Sequence, residues 1–128
     1  MGVYLLAHDL GTSGNKASLF TEEGALVKSM TCSYGLDVKN GNWAEQNADD
    51  WWQAVCDSTK ALLEEINPAD VAGVSFSGQM MGALCVDSEG NPLRPAIIWA
   101  DMRATEFISE LREKIDDLTY YKLTGQSA

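Results

Sequence analysis

Residues 9 to 14 read Asp9-Leu10-Gly11-Thr12-Ser13-Gly14, a set of side chains able to cradle a phosphate. Gly11 and Gly14 can take positive φ and lack a Cβ, so backbone N–H groups can turn toward an anion and let its oxygens approach closely. Thr12 and Ser13 add hydroxyl donors. Asp9 at the mouth suits a hydrated magnesium ion, which keeps several waters and takes few protein ligands. The same six residues also suit a plain β-hairpin turn, so the context has to decide. That context includes Gly78-Gln79-Met80-Met81-Gly82, Ala96-Ile97-Ile98-Trp99-Ala100-Asp101-Met102-Arg103, Trp43-Ala44-Glu45-Gln46 ahead of Trp51-Trp52, and Leu123-Thr124-Gly125.

The elements that must position these residues follow from periodicity. Residues 3–9, 16–21 and 25–34 alternate apolar and polar positions, with Glu22-Glu23-Gly24 as a tight turn, and predict a three-stranded antiparallel meander. Residues 35–47 are polar and contain Gly and Asn, which reads as a loop. Asn47 with Asp50 resembles a capping box and opens a helix with Trp52, Val55, Thr59, Leu62 and Ile66 on its apolar face, stopped by Pro68. Residues 71–76 predict a strand covered on both faces, reached by a right-handed crossover and parallel to an earlier strand. Residues 82–86 and 93–99 predict a strand pair around Gly90-Asn91. A second helix follows, with Ala104, Phe107 or Ile108, Leu111, Ile115 and Leu118 on one face.

Taken in order and spacing, these motifs resemble the N-terminal part of an FGGY-family carbohydrate kinase, with xylulokinases the nearest likeness. The resemblance implies an α/β fold: a ribonuclease-H-like module of the actin-like ATPase and sugar kinase type, with a mixed sheet of three antiparallel strands, then a helix and a parallel strand. Residues 1–128 would form the N-terminal part of the first of two domains. It further implies ATP and Mg²⁺, with Asp9, Gly11, Thr12, Ser13, Gly14 and Lys16 on the phosphates and Asp9 on the metal. Gln79, Met80, Met81, Trp99, Asp101 and Arg103 would face the sugar, Trp99 as an aromatic wall and Asp101 as a group reaching its hydroxyls. Glycerol kinases carry Arg-Glu at the positions of Met80 and Met81, and xylulokinases Met-His, so Met80 agrees with the latter and Met81 departs from both.

The substrate so implied is a ketopentose such as D-xylulose. The alternatives are a kinase for another sugar or polyol, and a non-catalytic sugar-binding or interaction module. The family's catalytic base, an Asp, lies beyond residue 128, so this chain alone is expected to be inactive. Trp43, Glu45, Trp51 and Trp52 match the family too, but loop anchoring and helix packing account for them.

Bulk properties narrow the partners. Asp and Glu outnumber Lys and Arg 19 to 9, for a net charge of −10, and no basic stripe occurs, which argues against nucleic acid and anionic membranes. Cys32, Cys56 and Cys85 are odd in number and widely spaced, and read as buried free thiols of a cytoplasmic protein. No apolar run approaches the ~20 residues of a membrane span. His8 has no partners at recognisable spacing and is assigned no catalytic role. A domain cut short would leave open strand edges that invite a second copy, giving a homodimer.

Overall fold

The computed structural model describes residues 2–127. Strands β1 (Tyr4–Leu10), β2 (Gly14–Thr21) and β3 (Leu26–Ser33) form the expected meander, and their alternation decides which side chains meet. Leu6, His8, Asn15, Ala17 and Leu19 are buried on one face. Asp9 and Lys16, directly paired across β1 and β2, are exposed on the other.

Two short strands follow, β4 (Asp37–Lys39) and β5 (Trp43–Gln46), where the sequence predicts only a loop. Residues 40–42 connect them, and Asn40 and Gly41 have φ of 52° and 78°, left-handed backbone that a short hairpin loop needs.

Helix α1 (Ala48–Leu62) is capped as expected by Asn47, whose side chain accepts from the Asp49 N–H at 3.1 Å. Its buried stripe is Ala54, Val55, Ser58 and Leu62, shifted from the predicted face. Trp52 is 65 % exposed; Trp51 takes the inward position, because its indole N–H reaches Gln46 Oε1 at 3.2 Å. Leu62 and Ile66 pack with Leu6, Ala17 and Leu19 to form the core between helix and sheet. Removing that apolar area from water is the main stabilising term, about 1.5–3 kcal/mol per large side chain.

A 3₁₀ turn from Pro68–Asp70 leads into β6 (Val71–Gly78), parallel to β1, completing the sheet order β3-β2-β1-β6. The parallel pairing is as predicted; the covering is not. Within this chain β6 is an edge strand, and Val74 and Phe76 are more than half exposed, because α1 lies over β2 and β3.

The predicted strand pair over 82–86 and 93–99 shrinks to isolated bridges, Ala83 with Ile97 and Val86 with Pro92. Only β7 (Ala96–Ile97) is a strand, and it joins β5 in a second sheet of order β4-β5-β7. The predicted second helix is broken into a 3₁₀ segment Arg103–Phe107, α2 (Ile108–Lys114) and α3 (Asp117–Thr124). Ile115 is extended there, and Asp116 caps α3 through Thr119 N at 3.0 Å, so capping chemistry overrides the apolar period. The cysteines are free, but none is fully buried and Cys85 is exposed. Among the described residues no helix is long and apolar enough to cross a membrane.

Candidate functional site

The bend between β1 and β2 carries residues 11–13. The Gly11 N–H donates to Gly14 O at 3.0 Å, so that amide closes the turn and does not face a ligand. Neither glycine takes positive φ, contrary to the expectation. Gly14 is needed for close approach: a Cβ there would lie 2.7 Å from Cys32 O. The backbone N–H groups of Thr12 and Ser13 make no hydrogen bond among the described residues and are open to an anion. Tyr34 Oη donates to Gly11 O and braces the bend from β3's end. Burial, with the Asp9 charge second, pushes the Tyr34 phenol pKa up and keeps it a donor.

Asp9 sits at the C-terminal end of β1, beside β6. Its Oδ1 accepts from Ser77 Oγ at 2.9 Å, while Oδ2 has no partner among the described residues. A fixed carboxylate with one free oxygen is a chemically suitable donor for a largely hydrated Mg²⁺. Lys16, across the ladder from Asp9, forms no ion pair among the described residues. Ser77 and Tyr34 were not signalled by the sequence, since neither belongs to a motif on its own.

Gln79 and Met81 line a cavity of about 320 Å³ whose other walls include Leu10, Trp51 and Ile98, within the range of small-molecule sites. Gln79 Oε1 is buried without a partner, a costly state that a ligand hydroxyl would relieve. Met80 and Met81 are exposed, at 75 % and 68 %, so neither is core filler. Met81 has φ 62°, a left-handed conformation costing about 1–2 kcal/mol for an L residue, and such strain clusters at ligand sites.

Trp99 is 54 % exposed, which excludes a core tryptophan. Its indole N–H donates to Thr12 Oγ1 at 2.9 Å, so the ring is tied to the bend between β1 and β2.

Asp101 and Arg103 are placed differently from the expectation. The Asp101 side chain is only 2 % exposed; its Oδ2 accepts from Ala44 N at 2.7 Å and from Arg103 Nη2 at 2.7 Å. Its Oδ1 accepts from Arg103 N and Nε at 2.9 and 2.8 Å. Arg103 also reaches Glu45 Oε1 at 2.8 Å and lies 4.0 Å over the Trp43 ring, and Arg94 pairs with the same Glu45 oxygen. These groups clasp the segment after Trp99 to β5, and their hydrogen-bonding capacity is spent there instead of reaching toward a sugar.

The bend at residues 11–13 is thus bonded to Trp99 through Thr12 Oγ1, and to Gln79 on the cavity wall through the Gln46 amide. The sequence matches the N-terminal domain of the FGGY family of carbohydrate kinases over residues 4–128. The chain belongs to that family. It is 33 % identical to a xylulose kinase of Staphylococcus xylosus over 121 residues, 94 % of this chain and 25 % of that protein. To a gluconokinase of Bacillus licheniformis it is 33 % identical over 125 residues, 98 % and 24 % respectively. The crystal structure of a xyloylose kinase from Brucella ovis superposes with a TM-score of 0.86 at 32 % identity, covering 97 % of this chain and 25 % of that one. The FGGY chain thus spans about a quarter of the length of the curated relatives it matches, and its fold is that of the actin-like ATPase sugar kinases.

The Arg103 clasp, through Asp101 and Glu45, and the buried His8 tie the stability of this FGGY domain to pH. Hydrogen bonds from Arg103 hold the Asp101 and Glu45 carboxyls below their ordinary values of 3.8 and 4.5. The folded state then binds fewer protons than the unfolded chain, so the clasp contributes fully above about pH 4.5 and is lost below it. Burial lowers the His8 pKa from 6.5; its stabilising contribution is lost as pH falls below that value, when the unfolded chain gains the proton first. A melting temperature falling in two steps on acidification is expected, with Arg103→Met shrinking the lower one. A midpoint constant from pH 7 to pH 3 would contradict this.

Proposed function

We propose that this domain belongs to an ATP-dependent sugar kinase and supplies its first phosphate-binding bend and much of its sugar wall, as the N-terminal part of the first of two domains. The observation that carries this is the Trp99 indole bonded to Thr12 Oγ1 at 2.9 Å. A ring face suited to sugar carbons and a bend suited to the phosphates of ATP are in contact, as transfer between two substrates requires. A sugar hydroxyl oxygen attacks the γ-phosphorus, the bond to the ADP oxygen breaks, and the hydroxyl proton passes to a base outside this chain.

Within it, Thr12 and Ser13 N–H groups and their hydroxyls hold phosphate oxygens, with Lys16 offering positive charge from the neighbouring strand. Asp9 would hold Mg²⁺, which when bound neutralises phosphate charge. Gln79 Oε1 accepts a sugar hydroxyl, Met80 and Met81 cover its apolar edge, and Trp99 stacks on its carbons. Asp101 and Arg103 act by fixing the segment that carries Trp99. The acidic surface and free thiols support a cytoplasmic protein.

The substrate we favour is a ketopentose such as D-xylulose. The xylulose kinase relatives support it, and the absence of a charged pair at Met80 and Met81 argues against a polyol grip. The gluconokinase relatives support an aldonate as the second candidate. Product analysis decides between them: full-length protein given ATP, Mg²⁺ and a panel of ketopentoses, aldopentoses, polyols and gluconate should yield a phosphorylated ketopentose. Exclusive phosphorylation of gluconate would reassign the substrate, and turnover of glycerol equal to that of xylulose would overturn the ketopentose assignment.

A further inference from the structure

Gln46, the last residue of β5, is 2 % exposed and uses every hydrogen-bonding position of its amide. Nε2 donates to Thr12 O at 2.7 Å and to Gly35 O at 3.0 Å. Oε1 accepts from Gln79 Nε2 at 2.7 Å and from Trp51 Nε1 at 3.2 Å. The orientation of the amide follows from its partners: two backbone carbonyls can only accept and an indole N–H can only donate. Glutamate would lose both donors, and an aliphatic side chain all four bonds. The strand beneath is itself fixed, since β5 pairs with β7 through Gln46 and Ala96 and is held at Ala44 N by Asp101.

One side chain therefore bridges the bend that faces phosphate and the residue that faces the sugar cavity. We propose that Gln46 is a positioning residue that sets the spacing between the two substrates, by holding the Thr12 carbonyl and the Gln79 amide on the same rigid strand end. This rests on the kinase function proposed above. In-line transfer is sensitive to that spacing: a misplacement of about 1 Å can cost on the order of 10²-fold in rate. Gln46 touches neither substrate, so its loss should act on the chemical step more than on either affinity.

The test uses the full-length protein with two variants. Gln46→Met keeps the length and removes all four bonds; kcat per folded active site is expected to fall by about 10- to 100-fold, while KM for ATP and for sugar each change by less than about threefold. Trp51→Phe keeps an aromatic ring in the cavity wall, trims that wall and removes the N–H that steadies Gln46 Oε1; the trimmed wall acts on the sugar KM, and the lost N–H is expected to lower kcat by about threefold. Should Gln46→Met not fold, Trp51→Phe decides: unchanged kcat overturns the proposal. A lower melting temperature with unchanged kcat per folded site overturns it too, since that is a packing role alone.

Amide spectra of the ¹⁵N-labelled protein give a readout independent of turnover. Trp51→Phe should shift both the Ser13 N–H, which shares a peptide unit with Thr12 O, and the Gln79 side-chain amide, the two groups that the Gln46 amide bridges, and resonances that stay in place overturn the coupling. A wild-type protein without sugar-dependent ADP release, yet with those shifts, would overturn the kinase function and leave the coupling standing.

Discussion

Asp9→Asn in the full-length protein is expected to lower kcat for sugar phosphorylation by about 10²- to 10³-fold, the usual cost of removing one preorganised electrostatic group from a transferring centre. The amide keeps the shape of the carboxylate, and its oxygen can still accept from Ser77 Oγ, now 2.9 Å from Asp9 Oδ1, so the end of β1 keeps its brace. What is lost is the negative charge that holds a hard cation against the phosphates. The sugar KM should stay within about twofold, while the Mg²⁺ concentration for half-maximal rate rises. Initial rates over a magnesium series measure both. A variant within threefold of wild type at every magnesium concentration would remove Asp9 from the metal role.

Trp99→Ala is expected to reduce kcat/KM by about 30-fold for every accepted sugar, the equivalent of the ~2 kcal/mol carried by a central aromatic anchor. The bond to Thr12 gives this residue a second effect that a plain wall would lack. Trp99→Phe keeps an aromatic face but cannot donate to Thr12 Oγ1, and a loss of about threefold to tenfold is expected from that bond alone. The two variants should also separate in their ATP dependence, since both release the bend while only alanine opens the sugar side. If phenylalanine behaves as wild type and alanine retains most of the activity, Trp99 is neither wall nor brace.

The parts of the fold legible in the sequence are those where a single face is apolar. The meander was readable because Leu6, Ala17 and Leu19 alternate with exposed residues and one sheet face is covered by α1. The β4–β5 hairpin was not, because β5 buries Glu45 and Gln46 and satisfies them with ion pairs and amide bonds instead of apolar contact. Its one local signal is Asn40-Gly41, a dipeptide suited to the positive φ found at both positions. The phase of α1 at its start is not legible in the sequence, because Trp51 and Trp52 are adjacent and equally apolar. Only the position of Gln46 decides which indole turns inward.

The site divides in the same manner. Residues 9–14 have the residue types and spacing expected of a phosphate bend, whereas the contribution of Ser77 and Tyr34 depends on β6 and β3 arriving beside it. Asp101 and Arg103 look like sugar ligands in one dimension. In three they face β5, because Ala44 N and Glu45 offer them partners 57 and 58 positions away in the chain, a pairing that no local pattern encodes.

The most direct measurement of the central claim is the rate of ADP release by the full-length protein with Mg·ATP, with and without sugar, in parallel with Asp9→Asn and Trp99→Ala. If residues 9–14 and Trp99 hold the two substrates of one reaction, ADP release rises well above the sugar-free rate with at least one sugar, and both variants reduce that increment. An ADP rate that no sugar in the panel raises, or a sugar-dependent rate indifferent to both substitutions, would contradict it.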